Sequence, residues 1–126
     1  MQVKKYYNLN NEIVNIWNNF ENDSEIFPFQ KKDWLVTWYN HIANEDHKKN
    51  IYIITLSDNE KIQAILPFLI NTYGYTNILT WAGYPFLDFM VPLLRKGFNI
   101  EFDDFQIIWK KIINDEKYKI DYIELD

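Results

Sequence analysis

Hydrophobic residues along the chain follow two different spacings. Over residues 10–22 and 31–46 apolar side chains recur three and four positions apart, which predicts two amphipathic helices. The same spacing returns over residues 103–115 and predicts a third helix. Between and around these segments lie short runs rich in isoleucine, tyrosine and other β-branched or aromatic residues, which are typical of strands.

The predicted elements follow the order β-α-α-β-β-β-α-β, without an internal repeat or a linker. The strands are expected at residues 3–7, 51–56, 61–66 with an extended continuation over 68–72, 77–81 and 120–125, with a short extended piece at 88–91. Residues 57–60 have the composition of a hairpin turn. These features predict one α/β (α+β) domain over residues 1–126, with helices packed on a mixed, mostly antiparallel sheet.

Several residues make this prediction specific. Asn10 is expected to cap the first helix and Asp103 the third. Pro67 cannot donate a backbone hydrogen bond, so it is expected to mark an edge, a bulge or the end of the hairpin pairing. Trp34 and Trp38 fall on the apolar stripe of the second helix and are predicted to be buried. The buried face predicted for the third helix consists of Phe105, Ile108, Trp109, Ile112 and Ile113.

Composition and charge exclude several classes of function. The chain has 126 residues, of which 48% are hydrophobic, enough for one packed core. It has no cysteine, which excludes disulfides, thiolate metal sites and cysteine nucleophiles. The net charge of −5, with a single arginine, argues against nucleic acid as a partner. No apolar run is long enough for a membrane span and no signal peptide is readable, so a cytoplasmic location is expected.

Four segments, in order, resemble one known family. Residues 27–38 contain Pro-Phe, four further residues, Trp-Leu, two residues and Trp. Residues 62–68 form a hairpin strand ending in Leu-Pro-Phe. Residues 79–89 contain Trp-Ala-Gly followed by Asp-Phe, and residues 120–125 form a closing strand. Together these segments, which span about residues 24–126, resemble the front half of the BioF2-like (CelD-like) acyltransferases, relatives of FemAB in the GNAT superfamily.

The resemblance implies an activity as well as a fold. Complete members of that family carry two GNAT-like halves, and the second supplies most of the catalytic apparatus. The chain would then be an N-terminal GNAT-like domain that ends before its C-terminal partner half. The full-length protein would move an acyl group to an amine acceptor, with acyl-CoA as the donor that the resemblance suggests. A GNAT cofactor loop needs closely spaced glycines that hold a pyrophosphate. The three glycines here do not have that spacing, and Glu101, Asp103 and Asp104 follow at the corresponding place, so this fragment is expected to bind no cofactor.

Residues 81–88 provide the candidate substrate-binding side chains. Trp81, Tyr84 and Phe86 are able to form an aromatic wall, and Asp88 is able to orient an amine or act as a base. The alternative is that the three rings pack in the core or the loop and that Asp88 makes backbone turn bonds. No catalytic residue can be assigned, and the two histidines do not form a metal motif.

Two other functions stay open at this point. The aromatic residues around Trp81 are also typical of a non-catalytic module that binds carbohydrate or peptide. The chain could equally be a degenerate domain without activity. A reading of the coding sequence beyond Asp126 would distinguish these from the acyltransferase, because only the latter requires a second half with a glycine-rich loop.

Overall fold

The computed structural model describes residues 1–22, 32–40, 49–82 and 92–125, with the backbone alone at Lys32, Trp34 and Trp38. It is a mixed α/β fold, as predicted, with helices packed on a mostly antiparallel sheet. The described elements are β1 (Gln2–Tyr6), α1 (Asn11–Glu21), α2 (Lys32–Trp38), β2 (Lys49–Asp58), β3 (Lys61–Tyr73), β4 (Thr76–Trp81), β5 (Leu93–Leu94), α3 (Phe102–Ile113) and β6 (Tyr122–Glu124).

The sheet has the order β1-β2-β3-β4-β6. The short strand β5 also pairs with β3, at Ala64 and Ile65, before the residues of β3 that pair with β4. Strands β1 to β4 form an antiparallel meander, whereas β6 lies parallel to β4, with Leu79 opposite Ile123. The β2–β3 turn is formed by Asn59 and Glu60, whose φ angles of 50° and 65° suit a two-residue hairpin turn. The predicted hairpin is therefore present and longer than expected.

Pro67 lies within β3 and does not end the hairpin pairing. Ile53 of β2 lies opposite it, and the two strands pair both before and after this position. The Pro67 carbonyl accepts a hydrogen bond from Ala82 at 2.7 Å, on the side of β3 where pairing changes from β5 to β4. A residue of an antiparallel strand directs its N–H and C=O to the same side. The side on which Pro67 lacks an N–H is therefore the side between β5 and β4, and no hydrogen bond to β2 is lost.

The sheet buries side chains on both faces. On the first face, α1 and α2 place Ile13, Trp17, Phe20 and Leu35 against residues of β2 and β3. On the second face, α3 places Ile108 and Ile112 against Tyr52, Phe68, Leu79 and their neighbours. The predicted cap of α1 is confirmed, because the Asn10 side-chain oxygen accepts from the Ile13 N–H at 3.0 Å.

Helix α3 differs from its prediction at its start and on its buried face. It begins at Phe102 with Glu101 at the cap position and no side-chain cap, so the prediction that Asp103 caps it is wrong. Asp103 and Asp104 instead lie in the first turn, where carboxylates favour the helix dipole. Phe105, predicted to be buried, is 39% exposed.

Some predictions fall outside the described structure. The side chains of Trp34 and Trp38 and the short extended piece at residues 88–91 belong to this group. Among the described helices, none has both the length and the apolar character that a membrane span requires.

Candidate functional site

A strongly apolar groove lies beside α3. Its volume is about 270 Å³, and the described side chains that line it are all hydrophobic. The lining residues are Leu66, Phe68, Trp81, Pro92, Phe105, Trp109 and Leu125. We refer to this surface as the aromatic groove. Concave, largely apolar surfaces are typical of sites that bind small ligands, and this groove is slightly smaller than most of them.

Four aromatic rings form a continuous series along the aromatic groove. Trp81 stacks on Phe68, with ring centroids 4.7 Å apart and an interplanar angle of 13°. Phe68 in turn contacts Trp109 at 6.3 Å, and Trp109 stacks on Phe105 at 6.3 Å. The arrangement follows from local structure, since Leu66 and Phe68 alternate onto one face of β3, and Phe105 and Trp109 lie four residues apart on α3.

The aromatic groove lies at the carboxyl ends of β4 and β6. Trp81 is the last residue of β4, and Leu125 directly follows β6. These two strands are the parallel pair among the described residues, so their carboxyl ends reach the same edge of the sheet. In α/β proteins, ligands commonly bind in the crevice outside the carboxyl ends of parallel strands.

The charge around the start of α3 is unfavourable for a phosphate group. Backbone N–H groups at a helix start attract anions, and Phe105 places this part of α3 beside the aromatic groove. However, Glu101, Asp103 and Asp104 surround that start with carboxylates. The groove is therefore suited to an uncharged apolar group rather than to a nucleotide.

Only one of the predicted site residues can be placed. Trp81 lies in the aromatic groove and is partly buried there. Tyr84, Phe86 and Asp88 lie outside the described residues. Sequence reasoning missed Phe68 and Leu125 as groove residues, and it interpreted Phe105 and Trp109 as part of the buried face of α3. A signal was present in α3, whose apolar residues outnumber those that one helical face can bury.

A second cluster of interest surrounds Asp115, just after α3. One of its carboxylate oxygens accepts from Lys5 Nζ and from the Tyr7 hydroxyl, each at 2.8 Å. The other accepts from the backbone N–H groups of Lys117 and Tyr118, at 3.1 and 3.0 Å. The side chain of Asp115 is only 1% exposed. We call this cluster the Asp115 clasp, because it joins β1 to the segment that follows α3.

The electrostatics of the Asp115 clasp indicate a structural role. Burial alone would raise the pKa of Asp115, but the hydrogen bonds from Lys5 and Tyr7 outweigh it and hold the pKa below its usual value. Burial and the hydrogen bond to this carboxylate raise the pKa of Tyr7 to about 12. Because the carboxylate accepts four bonds and stays ionised, it is poorly placed to accept a proton from a substrate.

A larger concavity lies elsewhere on α3 and is acidic. It has a volume of about 460 Å³ and is lined in part by Asp58, Glu101, Asp104 and Lys111. Its carboxylates are exposed to solvent. In the described parts of the chain, no three histidine or acidic side chains are arranged to hold a metal ion. This surface is therefore polar and open to solvent, and it does not have the apolar lining of the aromatic groove.

Known proteins give no independent guide to the site. No protein-family model, curated protein or solved structure matches this chain. A function is therefore inferred from the geometry of the aromatic groove.

Proposed function

We propose that the chain is the N-terminal domain of a GNAT-type acyltransferase and that its aromatic groove forms a wall of the acceptor cleft. In this proposal the complete protein moves an acyl group from a thioester donor to an amine acceptor that carries an apolar tail. The observation that carries the proposal is the aromatic groove itself, at the carboxyl ends of the parallel strands β4 and β6.

The role of this domain is to position the acceptor. Apolar surface gains about 25 cal/mol for each Å² removed from water, so an alkyl or aromatic tail is held without a polar contact. Fixing that tail restricts where the amine can lie relative to the thioester, which lowers the entropic part of the barrier. Among the residues that the structure describes, no side chain lining the aromatic groove is able to take a proton from the amine. Proton removal is therefore assigned to groups outside this groove.

The donor nucleotide is assigned to the second half of the complete protein. The start of α3 presents Glu101, Asp103 and Asp104, which repel phosphates. We accordingly expect calorimetry to detect no micromolar binding of acetyl-CoA to the 126-residue chain. Micromolar affinity would contradict this division of labour between the halves.

Binding of an amine with an apolar tail tests the proposal directly. Titration of the chain with octylamine, followed by NMR of the tryptophan indole N–H signals, should shift the signals of Trp81 and Trp109 together. Ethanolamine, which has the amine but no tail, should leave them unchanged. The variant Trp81→Ala should weaken octylamine binding at least tenfold, which corresponds to about 1.4 kcal/mol.

The exposed Tyr75 offers a control for that variant. Tyr75 lies in the β3–β4 turn and is fully exposed, so Tyr75→Ser should bind octylamine like the parent chain. If octylamine shifts neither indole signal, or if Tyr75→Ser loses as much affinity as Trp81→Ala, the aromatic groove is not an acceptor wall.

A carbohydrate-binding module is the second candidate, because Trp81 and Trp109 offer ring faces on which a sugar could stack. Sugars also need hydrogen-bond partners next to the ring, and the described side chains of the aromatic groove provide none apart from the indole N–H groups. The same NMR experiment separates the two functions. A shift of the indole signals with cellohexaose and none with octylamine would favour the binding module.

A further inference from the structure

One exposed side of α3 carries its charges in a symmetric pattern. Asp103 and Asp104 lie in the first turn, Lys110 and Lys111 lie in the last turn, and Ile107 lies midway between the two pairs. Successive residues of an α-helix are about 100° apart around its axis, so all five side chains lie within about 60° of the direction of Ile107. All five residues are exposed. We call this surface the charged face of α3.

The charges of this face are not paired within the chain. Among the residues that the structure describes, none of the four charged side chains is in an ion pair. The acidic and the basic side chains are six or more residues apart, which is about 9 Å or more along the helix axis. The helix dipole favours each sign of charge at its own end. It does not account for Ile107, which is 57% exposed between the charges.

The charged face is complementary to itself when it is turned end for end. In a pair of antiparallel α3 helices related by a twofold axis, the two copies of Ile107 meet at the centre. Asp103 then faces Lys110 of the second copy, and Asp104 faces Lys111 of the second copy. The symmetry repeats both contacts, so four opposite-charge contacts surround one apolar contact. No like charges are directly opposed.

A concavity next to the charged face offers room for a second copy. Its volume is about 460 Å³, and Asp104, Ile107 and Lys111 are among the residues that line it. Asp58 and Glu101 line it as well. Three carboxylates therefore share this space with a single described lysine side chain. The lysine that a second copy places beside Asp104 enters a region that still has an excess of negative charge.

We propose that the charged face of α3 binds a second copy of this chain, with the two α3 helices antiparallel across a twofold axis at Ile107. The association is weak, because exposed ion pairs contribute little and a helix of 12 residues is only about 18 Å long. It leaves the aromatic groove open, since Phe105 and Trp109 lie on the opposite side of α3 from Ile107. The proposal does not depend on acyl transfer.

The total charge of the chain limits the strength of this association. Each copy has a net charge of −5, which opposes the approach of a second copy. At physiological salt, charges more than about 8 Å apart are largely screened, whereas the facing pairs are in contact. We expect a dissociation constant on the order of 0.1–1 mM. The chain is then a monomer at the low micromolar concentrations of an unfolding experiment.

Reversal of the charges tests the proposal. Sedimentation equilibrium of the parent chain from about 20 µM to about 1 mM should show a monomer that increasingly forms a dimer. The double variant Lys110→Glu with Lys111→Glu has an entirely acidic charged face, and Asp103→Lys with Asp104→Lys has an entirely basic one. Each alone should stay monomeric. An equimolar mixture should associate at least about threefold more tightly than the parent chain, because every charge then faces only opposite charges.

Two further variants separate this surface from total charge and from folding. Lys61→Glu with Lys96→Glu changes the net charge as much as the Lys110 and Lys111 reversal does, at exposed lysines outside α3. It should keep the parent's dissociation constant within about threefold. Ile107→Glu is a single change at an exposed position, so it should leave the circular dichroism spectrum unchanged. It should weaken the association about tenfold or more.

Several results would overturn the proposal. A parent chain that stays monomeric at about 1 mM would do so, and so would a mixture of the two charge-reversed variants that associates no more tightly than the parent. A dimer that persists both in Ile107→Glu and in the Lys110 and Lys111 reversal would lie on another surface. Equal loss of association in the Lys61 and Lys96 reversal would mean that total charge, and not the charged face of α3, controls it.

Discussion

The two faces of the sheet differ in how much apolar surface their helices leave exposed, although the sheet residues beneath are buried on both. On the first face, α1 and α2 cover the sheet so completely that Ile13, Leu35 and Ile51 have no exposed surface. On the second face, α3 buries Ile108 and Ile112 but leaves Phe102 and Ile107 exposed by 71% and 57%. The aromatic groove opens beside the same helix. The first face, which we call the closed face, is thus organised for stability. The second, which we call the open face, retains apolar surface that a ligand can cover.

The largest expected effect follows from removing the tryptophan of the closed face. Trp17 is 1% exposed within the first core, so Trp17→Ala should lower the free energy of unfolding by roughly 3–5 kcal/mol. Trp109, on the open face, is only partly buried, and Trp109→Ala should cost about half as much. Urea denaturation measures both. Equal losses would mean that the two faces are equally well packed.

The Asp115 clasp should give the next largest effect, because it anchors the open face at the far end of α3 from the groove. Asp115→Asn keeps the shape of the side chain but removes its charge opposite Lys5. We expect a loss of about 2 kcal/mol at neutral pH, in the range for buried hydrogen bonds to charged groups. The exposed pair of Lys4 and Glu12 is a matched control, and Glu12→Gln should cost much less.

The contribution of Asp115 should also depend on pH. Its pKa in the folded protein lies below the ordinary value of 3.8, so the folded state favours the ionised form. The stabilisation is then fully present above the unfolded pKa and is lost as the pH falls through the folded pKa. Thermal unfolding of the parent chain and Asp115→Asn should therefore differ at pH 6, and the difference should shrink as the pH falls below 3.8. A difference that is independent of pH would mean that the charge of Asp115 is unimportant.

The sequence predicted the closed face better than the open one. Periodicity identifies α1 correctly because Ile13, Trp17 and Phe20 lie on one narrow stripe, and the cap at Asn10 is a local interaction. Strand assignment was equally successful, since β2 and β3 are long runs of β-branched residues. These features depend on residues close together in the chain, which is the information that a single sequence contains.

The errors concern features that depend on distant partners. The role of Pro67 is set by a change of neighbour from β5 to β4, which no local pattern encodes. The aromatic groove combines residues from β3, β4 and α3 with Leu125, so only Trp81, beside the predicted loop, was singled out. Phe105 was predicted to be buried because periodicity shows which face is apolar, not how much of it a partner covers.

A smaller effect is expected at the start of α1, the helix that closes the first face. Asn10→Ala removes the side-chain acceptor of the Ile13 N–H and should cost about 1 kcal/mol. Asn10→Gly should cost only a few tenths of a kcal/mol, because glycine is itself tolerated at a cap. The comparison is made by thermal denaturation. If alanine and glycine gave equal losses, the side-chain hydrogen bond would not be what stabilises this end of the helix.

The smallest effect should come from the uncovered side of α3, where neighbouring isoleucines make a matched pair. Ile107 is 57% exposed and Ile108 is 4% exposed. The same change to alanine at each position therefore compares the exposed side of α3 with its buried side. Ile108→Ala should destabilise by about 2 kcal/mol or more through the cavity that it leaves. Ile107→Ala should alter the free energy of unfolding by less than about 0.5 kcal/mol, and the higher helix propensity of alanine could even stabilise the chain. Urea titrations at two protein concentrations check this, because a loss at Ile107 that grew with concentration would show that another copy covers the open face.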